Sequence, residues 1–134
     1  MAKLRVIADT SFLMIPGLFG VDIMSELERL IERRYVLVIP KPVAEELNQL
    51  AAHGKPAERS AARLGLALLT RGGIVDAQGA ADTAILKLAG GGNCVVGTTD
   101  AALRKKLRQR HVPVIYLRQK SHLAINGQLM GSQI

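Results

Sequence analysis

A chain of 134 residues, 49% of them hydrophobic, is the size of one globular domain, and this composition excludes a disordered chain. The net charge of +7 favours polyanionic partners, and no apolar run is long enough to span a membrane, so no membrane partner is expected. The lone Cys94 cannot pair internally and is expected to be a buried small hydrophobe. With no signal peptide before the first strand-like run, the sequence indicates a cytoplasmic protein.

Short β-branched runs alternate with helical stretches along the chain. Strands are predicted at Leu4–Ala8, Val36–Ile39, Ile74–Val75, Cys94–Gly97 and Pro113–Leu117, and helices at 21–34, 42–53, 56–71, 79–90 and 99–110. Near-continuous apolar strands that alternate with helices are typical of a mostly parallel sheet with helices on both faces. The predicted fold is therefore a single α/β domain over residues 1–134, in which 121–134 form an edge strand or a tail.

Acidic residues follow four of the predicted strands. Asp9 comes directly after the first, Glu45 and Glu46 soon after the second, Asp82 in the helix after the third, and Asp100 just after the fourth. Because ligands bind outside the carboxyl ends of the strands in an open parallel sheet, we expect these carboxylates to meet in one cleft. Glu46 borders the apolar stripe of its helix and Glu45 points away from it, which favours Glu46 as the site residue.

Each acid also has an ordinary structural explanation. Asp100 and Asp82 could cap or open a helix and complement its dipole, and Glu46 could be a surface charge. Asp9 lies where burial is expected, and a buried carboxylate needs partners. Four converging carboxylates with no basic residue at the same strand ends would repel one another, and a divalent cation would relieve that repulsion. Oxygen ligands suit Mg²⁺ or Mn²⁺, whereas the three histidines lack zinc spacing.

A basic segment without acidic residues lies between residues 104 and 120. Arg104, Lys105, Lys106 and Arg108 occupy the part of the predicted helix that its apolar residues leave to solvent, and they could contact the backbone phosphates of a polyanionic partner without sequence choice. A merely solvated helix face is an equal alternative. A membrane-binding helix is a further one, but the apolar residues of this helix are needed for the core.

Four sequence blocks together resemble the PIN-domain ribonucleases. The blocks are Val6–Ser11, Ile39–Leu47, Ala81–Leu86 and Val96–Leu103, and they span nearly the whole chain. The resemblance implies that the catalytic and metal-binding acids are Asp9, Glu46, Asp82 and Asp100, with Thr98 and Ser11 in support. Many relatives carry a second acid beside the third of these, whereas Asp82 stands alone in Gly79–Asp82.

The same resemblance implies partners and a cofactor. The basic helix followed by a strand over Leu103–Leu117 is similar to PIN proteins that process small-subunit rRNA, and VapC-like toxins share the four acids and a similar length. RNA, a homodimer, and an antitoxin or a ribosome-assembly partner are the implied partners, and Mg²⁺ or Mn²⁺ is the implied cofactor.

The predicted function is that of a divalent-metal-dependent endoribonuclease that hydrolyses RNA phosphodiester bonds. A non-catalytic nucleic-acid-binding module is the main alternative. A phosphate-handling enzyme of the haloacid-dehalogenase type would normally carry a second Asp two residues after the first, where this chain has Ser11. A flap-nuclease-like DNA enzyme would normally be longer and use more acids.

Overall fold

The computed structural model describes residues 3–129, which form one six-stranded sheet and its surrounding helices. The strands are β1 (Leu4–Ala8), β2 (Tyr35–Pro40), β3 (Gly72–Val75), β4 (Cys94–Gly97), β5 (Val114–Arg118) and β6 (His122–Asn126). The helices are α1 (Thr10–Leu13), α2 (Ile15–Phe19), α3 (Ile23–Leu30), α4 (Lys41–His53), α5 (Pro56–Ala67), α6 (Ala81–Ala89) and α7 (Ala101–Gln109).

The sheet has the order β3-β2-β1-β4-β5-β6, and its first five strands in this order run parallel. β6 pairs antiparallel with β5 at one edge. The five predicted strands are all present, and the predicted α/β fold with a mostly parallel sheet is confirmed. Of the segment 121–134, residues 122–126 form the edge strand β6, while 130–134 lie outside the described residues.

Both faces of the central strands are covered. In β1, Val6, Ile7 and Ala8 are fully buried in succession, and every residue of β4 is buried. Because neighbouring residues of a strand point to opposite faces, this pattern places core on both sides of the sheet. Cys94 belongs to that core at 6% exposure, as predicted. Within residues 3–129, no helix has the length and apolar character needed to cross a membrane.

The strand order reverses at β1, which lies between β2 and β4. The chain first moves from β1 outwards through β2 to β3, and then returns to the other side of β1 to form β4. At such a reversal the connections after two adjacent strands diverge, so a crevice opens at their carboxyl ends. The residues directly after β1 and β4 are therefore the ones that the fold brings to this crevice.

Two short helices after β1 were not predicted from the sequence. The segment that forms α1 and α2 carries proline and glycine and shows no helical stripe, and tertiary packing supplies what local propensity lacks. The ring of Phe12 packs directly on Gly97 of β4, where an added Cβ would lie 2.7 Å from the ring. Gly17 of α2 packs equally closely on Ala61 of α5. These contacts fix the chain that leaves β1.

Two predicted helices were too long. The helix predicted at 21–34 spans only Ile23–Leu30, because the Asp22 carboxylate accepts hydrogen bonds from Met24 N and Ser25 N and so begins the helix there. It ends where Ile31, which is buried, adopts an extended conformation. The helix predicted at 56–71 ends in a 3₁₀ turn over Leu68–Arg71.

Helix α3 covers the outer edge of β6. The Glu26 carboxylate accepts a hydrogen bond from Leu123 N at 2.8 Å, and Arg29 donates to Leu123 O, also at 2.8 Å. Arg29 and Glu26 pair with each other at 3.0 Å. Two backbone groups that an edge strand would otherwise leave open are thus satisfied by side chains, which is one way to protect an edge from unwanted pairing.

Candidate active site

An open cleft of about 400 Å³ lies at the carboxyl end of β1. All four predicted acids line it, together with Thr10 and Ser11. A larger groove of about 520 Å³ lies between α2 and α5, but its lining is mostly apolar and includes none of the four acids. The smaller cleft is therefore the one that brings the four predicted acids together.

Asp9 is the buried member of the group, at 6% exposure. One carboxylate oxygen accepts a hydrogen bond from Thr10 N at 2.8 Å, which also caps α1. The other oxygen accepts from the hydroxyls of Thr98 at 2.8 Å and Ser11 at 3.2 Å. Burial raises the pKa of Asp9 above its ordinary value of 3.8, and the charge of Asp82 raises it further, against the lowering effect of the three hydrogen bonds.

The fully buried Thr98 joins the two strands at the fold's reversal point. Its hydroxyl donates to Asp9 and accepts from Asp100 N at 3.0 Å. Ser11 makes a parallel link, because its hydroxyl donates to Asp9 and accepts from Thr99 N at 3.0 Å. The two hydroxyl residues thus tie Asp9 of the first half of the chain to the loop after β4 in the second half.

Glu46 is exposed in the first part of α4 and is positioned by the chain after β1. The Thr10 hydroxyl donates to Glu46 Oε1 at 2.9 Å, while Thr10 N binds Asp9. One residue of α1 therefore orients two of the four carboxylates. The neighbouring Glu45 is exposed and does not line the cleft, as the helix geometry predicted.

Asp82 and Asp100 are exposed and complete the acidic lining of the cleft. Asp100 caps α7, since its Oδ1 accepts from Ala102 N at 2.9 Å and Leu103 N at 3.2 Å. Helix capping, the ordinary structural explanation for Asp100, therefore accounts for one oxygen of its carboxylate. The second oxygen has no hydrogen bond within residues 3–129. Asp82 lies in the first turn of α6, its side chain forms no hydrogen bond in the described part of the chain, and its charge is close enough to Asp9 to raise the pKa of Asp9.

Comparison with known proteins shows the family of this chain. A family model described as a PIN like domain matches residues 6–120. The chain belongs to the PIN-domain family. It is 33% identical over 129 residues to ribonuclease VapC4 of Methanocaldococcus jannaschii, an alignment that covers 93% of this chain and 98% of that protein. It is 29% identical over 119 residues to ribonuclease VapC9 of Archaeoglobus fulgidus, with coverage of 89% and 87%.

Two solved structures share the fold. The PIN domain endonuclease Utp24 matches with a TM-score of 0.77 and 18% identity, over 93% of this chain and 92% of that one. A domain of a functionally unknown protein from Methanocaldococcus jannaschii matches with a TM-score of 0.61, also at 18% identity, over 87% and 92% of the two chains. At this identity the structural likeness shows the fold alone.

The donor set of this PIN-domain cleft fits a hard divalent cation in chemistry but is not gathered around a single point. Within residues 3–129, no group of three or more His, Cys, Asp or Glu side chains is arranged to hold a metal ion as the side chains stand. Three of the four carboxylates are exposed, so their side chains are not held in place by packing. No described basic residue forms a salt bridge with any of the four acids, so the protein itself does not neutralise them.

The basic residues of α7 divide into two kinds. The guanidinium of Arg104 lies 4.4 Å from the centre of the Tyr116 ring, and Arg108 donates to Val112 O at 3.2 Å. Lys105 and Lys106 are exposed and have no side-chain contact of this kind in the described residues. The sequence singled out all four cations, but it gave no indication that Tyr116 would hold one of them. The apolar face of this helix is buried, as predicted.

Proposed function

We propose that this PIN-domain protein is a divalent-metal-dependent endoribonuclease of the VapC type. The observation that carries the proposal is the buried Asp9, which shares one open cleft with three other carboxylates and has no basic partner among the described residues. An uncompensated cluster of this kind is unfavourable by itself and favourable around a cation. The two curated relatives, both called VapC ribonucleases and aligned over most of the chain, support the same activity.

Asp9, Glu46, Asp82 and Asp100 would hold Mg²⁺ or Mn²⁺, directly or through water. A carboxylate offers about four acceptor positions, and Asp9 uses three of them within the protein, so about one is left for a ligand. Asp100 keeps a whole oxygen for this purpose. The chemistry that such ions supply when bound is the activation of a water nucleophile and the stabilisation of charge on the phosphate oxygens.

The protein's own groups give this cleft its order. Thr98, Ser11 and Thr10 N fix Asp9, and the Thr10 hydroxyl orients Glu46, so that two carboxylates from different elements face the same space. Asp82 and Asp100 approach from the other half of the chain. A carboxylate of this set would take the proton from the attacking water, and the basic face of α7 would hold the RNA backbone.

The VapC assignment brings further expectations about partners. RNA is the substrate, an antitoxin protein is the expected inhibitor, and the cytoplasm is the expected compartment. A homodimer is expected by analogy with the family. A role in rRNA processing, with a ribosome-assembly partner, is the second candidate, and the feature that favours it is the basic α7 followed by β5.

The first experiment is a cleavage time course on a structured RNA with Mg²⁺, Mn²⁺ or EDTA. We expect cleavage with a divalent ion, none in EDTA, and none after the paired substitutions Asp9→Asn and Asp100→Asn. Glu46→Gln should reduce the rate strongly, whereas Glu45→Gln, which removes an equal charge one residue away and outside the cleft, should not. RNA that is bound but never cut, with any metal, would instead support the non-catalytic binding module.

A further inference from the structure

We propose that Arg104 and Tyr116 form a stacked platform that binds one unpaired RNA nucleotide directly beside the cleft. This inference rests on the proposed ribonuclease function and extends it to the form of RNA that the site accepts. The platform consists of the Arg104 guanidinium lying over the Tyr116 ring, at 4.4 Å from its centre.

The sheet register places the platform at the same edge as the four acids. β5 runs parallel to β4, with Gly97 opposite Ile115 and a hydrogen bond of 3.1 Å from Thr98 N to Ile115 O. Tyr116, in β5, therefore lies level with Thr98, which directly follows the neighbouring strand β4 and binds Asp9. Adjacent strands lie about 4.8 Å apart, so the Tyr116 backbone is a close neighbour of the site.

The helix places Arg104 one turn beyond Asp100. Arg104 N donates to Asp100 O at 3.0 Å, and four residues of helix correspond to a rise of about 6 Å. Residues four apart also lie on the same side of a helix. RNA whose scissile phosphate lies over Asp100 would therefore place an adjacent nucleotide over Arg104.

The guanidinium is held in place and its donors are available. Tyr116 fixes one face of it, and within residues 3–129 Arg104 makes no side-chain hydrogen bond or salt bridge. Arg108 differs, because its Nη1 already donates to Val112 O. A guanidinium with one face fixed can stack a base on its other face and donate from its edge to a phosphate. The base of a duplex is stacked within its own helix and is not available in this way.

The first test measures binding apart from cleavage. Fluorescence anisotropy would compare a labelled single-stranded RNA with its duplex, using the Asp9→Asn protein so that the RNA stays intact. Arg104→Ala should weaken single-strand binding about 10-fold. It should also make the slope of the logarithm of the binding constant against the logarithm of the salt concentration shallower by roughly 0.7, the value of one phosphate contact on a single strand. Arg110→Ala removes the same charge at the other end of α7 and should have a smaller effect.

Substitutions that separate charge from stacking sharpen this test. Arg104→Lys keeps the charge and should still lose most of the affinity, while Tyr116→Phe keeps the ring and should bind normally. Tyr116→Leu should weaken binding, and combining it with Arg104→Ala should add little, because the pair acts as one unit. Thermal melts would check that each variant is folded. Full affinity in Arg104→Lys, or equal losses for Arg104→Ala and Arg110→Ala, would overturn the platform.

The second test locates the nucleotide. RNA substrates with a single abasic residue, moved along the positions next to the cut, should show a raised KM at one position with wild type and no such rise with Arg104→Ala. An equal response of both proteins at every position would overturn the inference. If wild type does not cut RNA at all, the ribonuclease proposal fails, and the binding test alone decides whether the platform exists.

Discussion

Replacing Gly97 by alanine tests how closely α1 is fitted to the sheet. The new Cβ would lie 2.7–2.8 Å from three carbons of the fully buried Phe12 ring, whereas carbon atoms prefer about 3.5–4.0 Å. The ring must withdraw by about 0.7–1.3 Å, and overpacking of this kind destabilises a core by about 1–3 kcal/mol. Gly73→Ala is the matched control, since its Cβ would meet nothing within 4 Å and should stabilise β3 by about 0.5–1 kcal/mol.

Urea unfolding of both variants, and of each with Phe12→Leu, measures this effect. The difference between the two alanine variants isolates the overpacking, and Phe12→Leu should relieve Gly97→Ala by about 1 kcal/mol or more relative to additivity. Under conditions where Gly97→Ala is folded, cleavage should fall by up to roughly 100-fold, because the shifted α1 carries Thr10 and Ser11 out of place. Equal stability of the two alanine variants, or full activity of Gly97→Ala, would refute this account.

Two further predictions concern pH and are measured by thermal melts in EDTA from the acid range to neutrality. The folded pKa of Asp9 is raised, so the stability associated with this carboxyl is complete below its ordinary pKa and is lost as pH rises through the folded value. Asp9→Asn should therefore be at least as stable as wild type at neutral pH, and a large loss there would contradict a clustered carboxylate site. For Glu26 the sign is opposite, because the Arg29 side chain, and then Leu123 N, lower its pKa. The stability that the Glu26 carboxylate contributes is present above its ordinary pKa of 4.5 and is lost as pH falls through its pKa in the folded protein. Glu26→Gln should therefore destabilise the protein at neutral pH and match wild type in acid. A constant difference at all pH values would mean that the charge of Glu26 has no role.

The central sheet was predictable because its strands are continuous β-branched runs that carry their own signal. The helices that follow β1 were not predictable, because α1 and α2 depend on contacts between residues far apart in sequence, such as that of Phe12 with Gly97. The early end of α3 was also missed. Ile31 reads as part of the helical pattern, but it is buried in an extended conformation that no local signal marks.

The positions of the acids in the cleft could be predicted from strand order, but their individual environments could not. Only the structure shows that Thr10 N binds Asp9 while the Thr10 hydroxyl holds Glu46, a contact across 36 residues. The basic helix shows the same limit, since its charge is visible in the sequence while the stacking of Arg104 on Tyr116 depends on how α7 packs on β5. Roles that depend on how side chains pack together are therefore visible in the structure and not in the sequence.

The pairing of β1 with β4 also determines at what point during protein synthesis the cleft can form. A chain that has emerged only through β3 carries Asp9 and Glu46, but it lacks Thr98, the Asp100 carboxylate and β4, the second of the two strands that pair with β1. Because the missing parts arrive about 90 residues after Asp9, a growing chain cannot assemble the cleft before β4 and the residues that follow it have been made. For a protein proposed to cut RNA, the fold itself thus delays the activity until the chain has left the ribosome at least as far as Asp100.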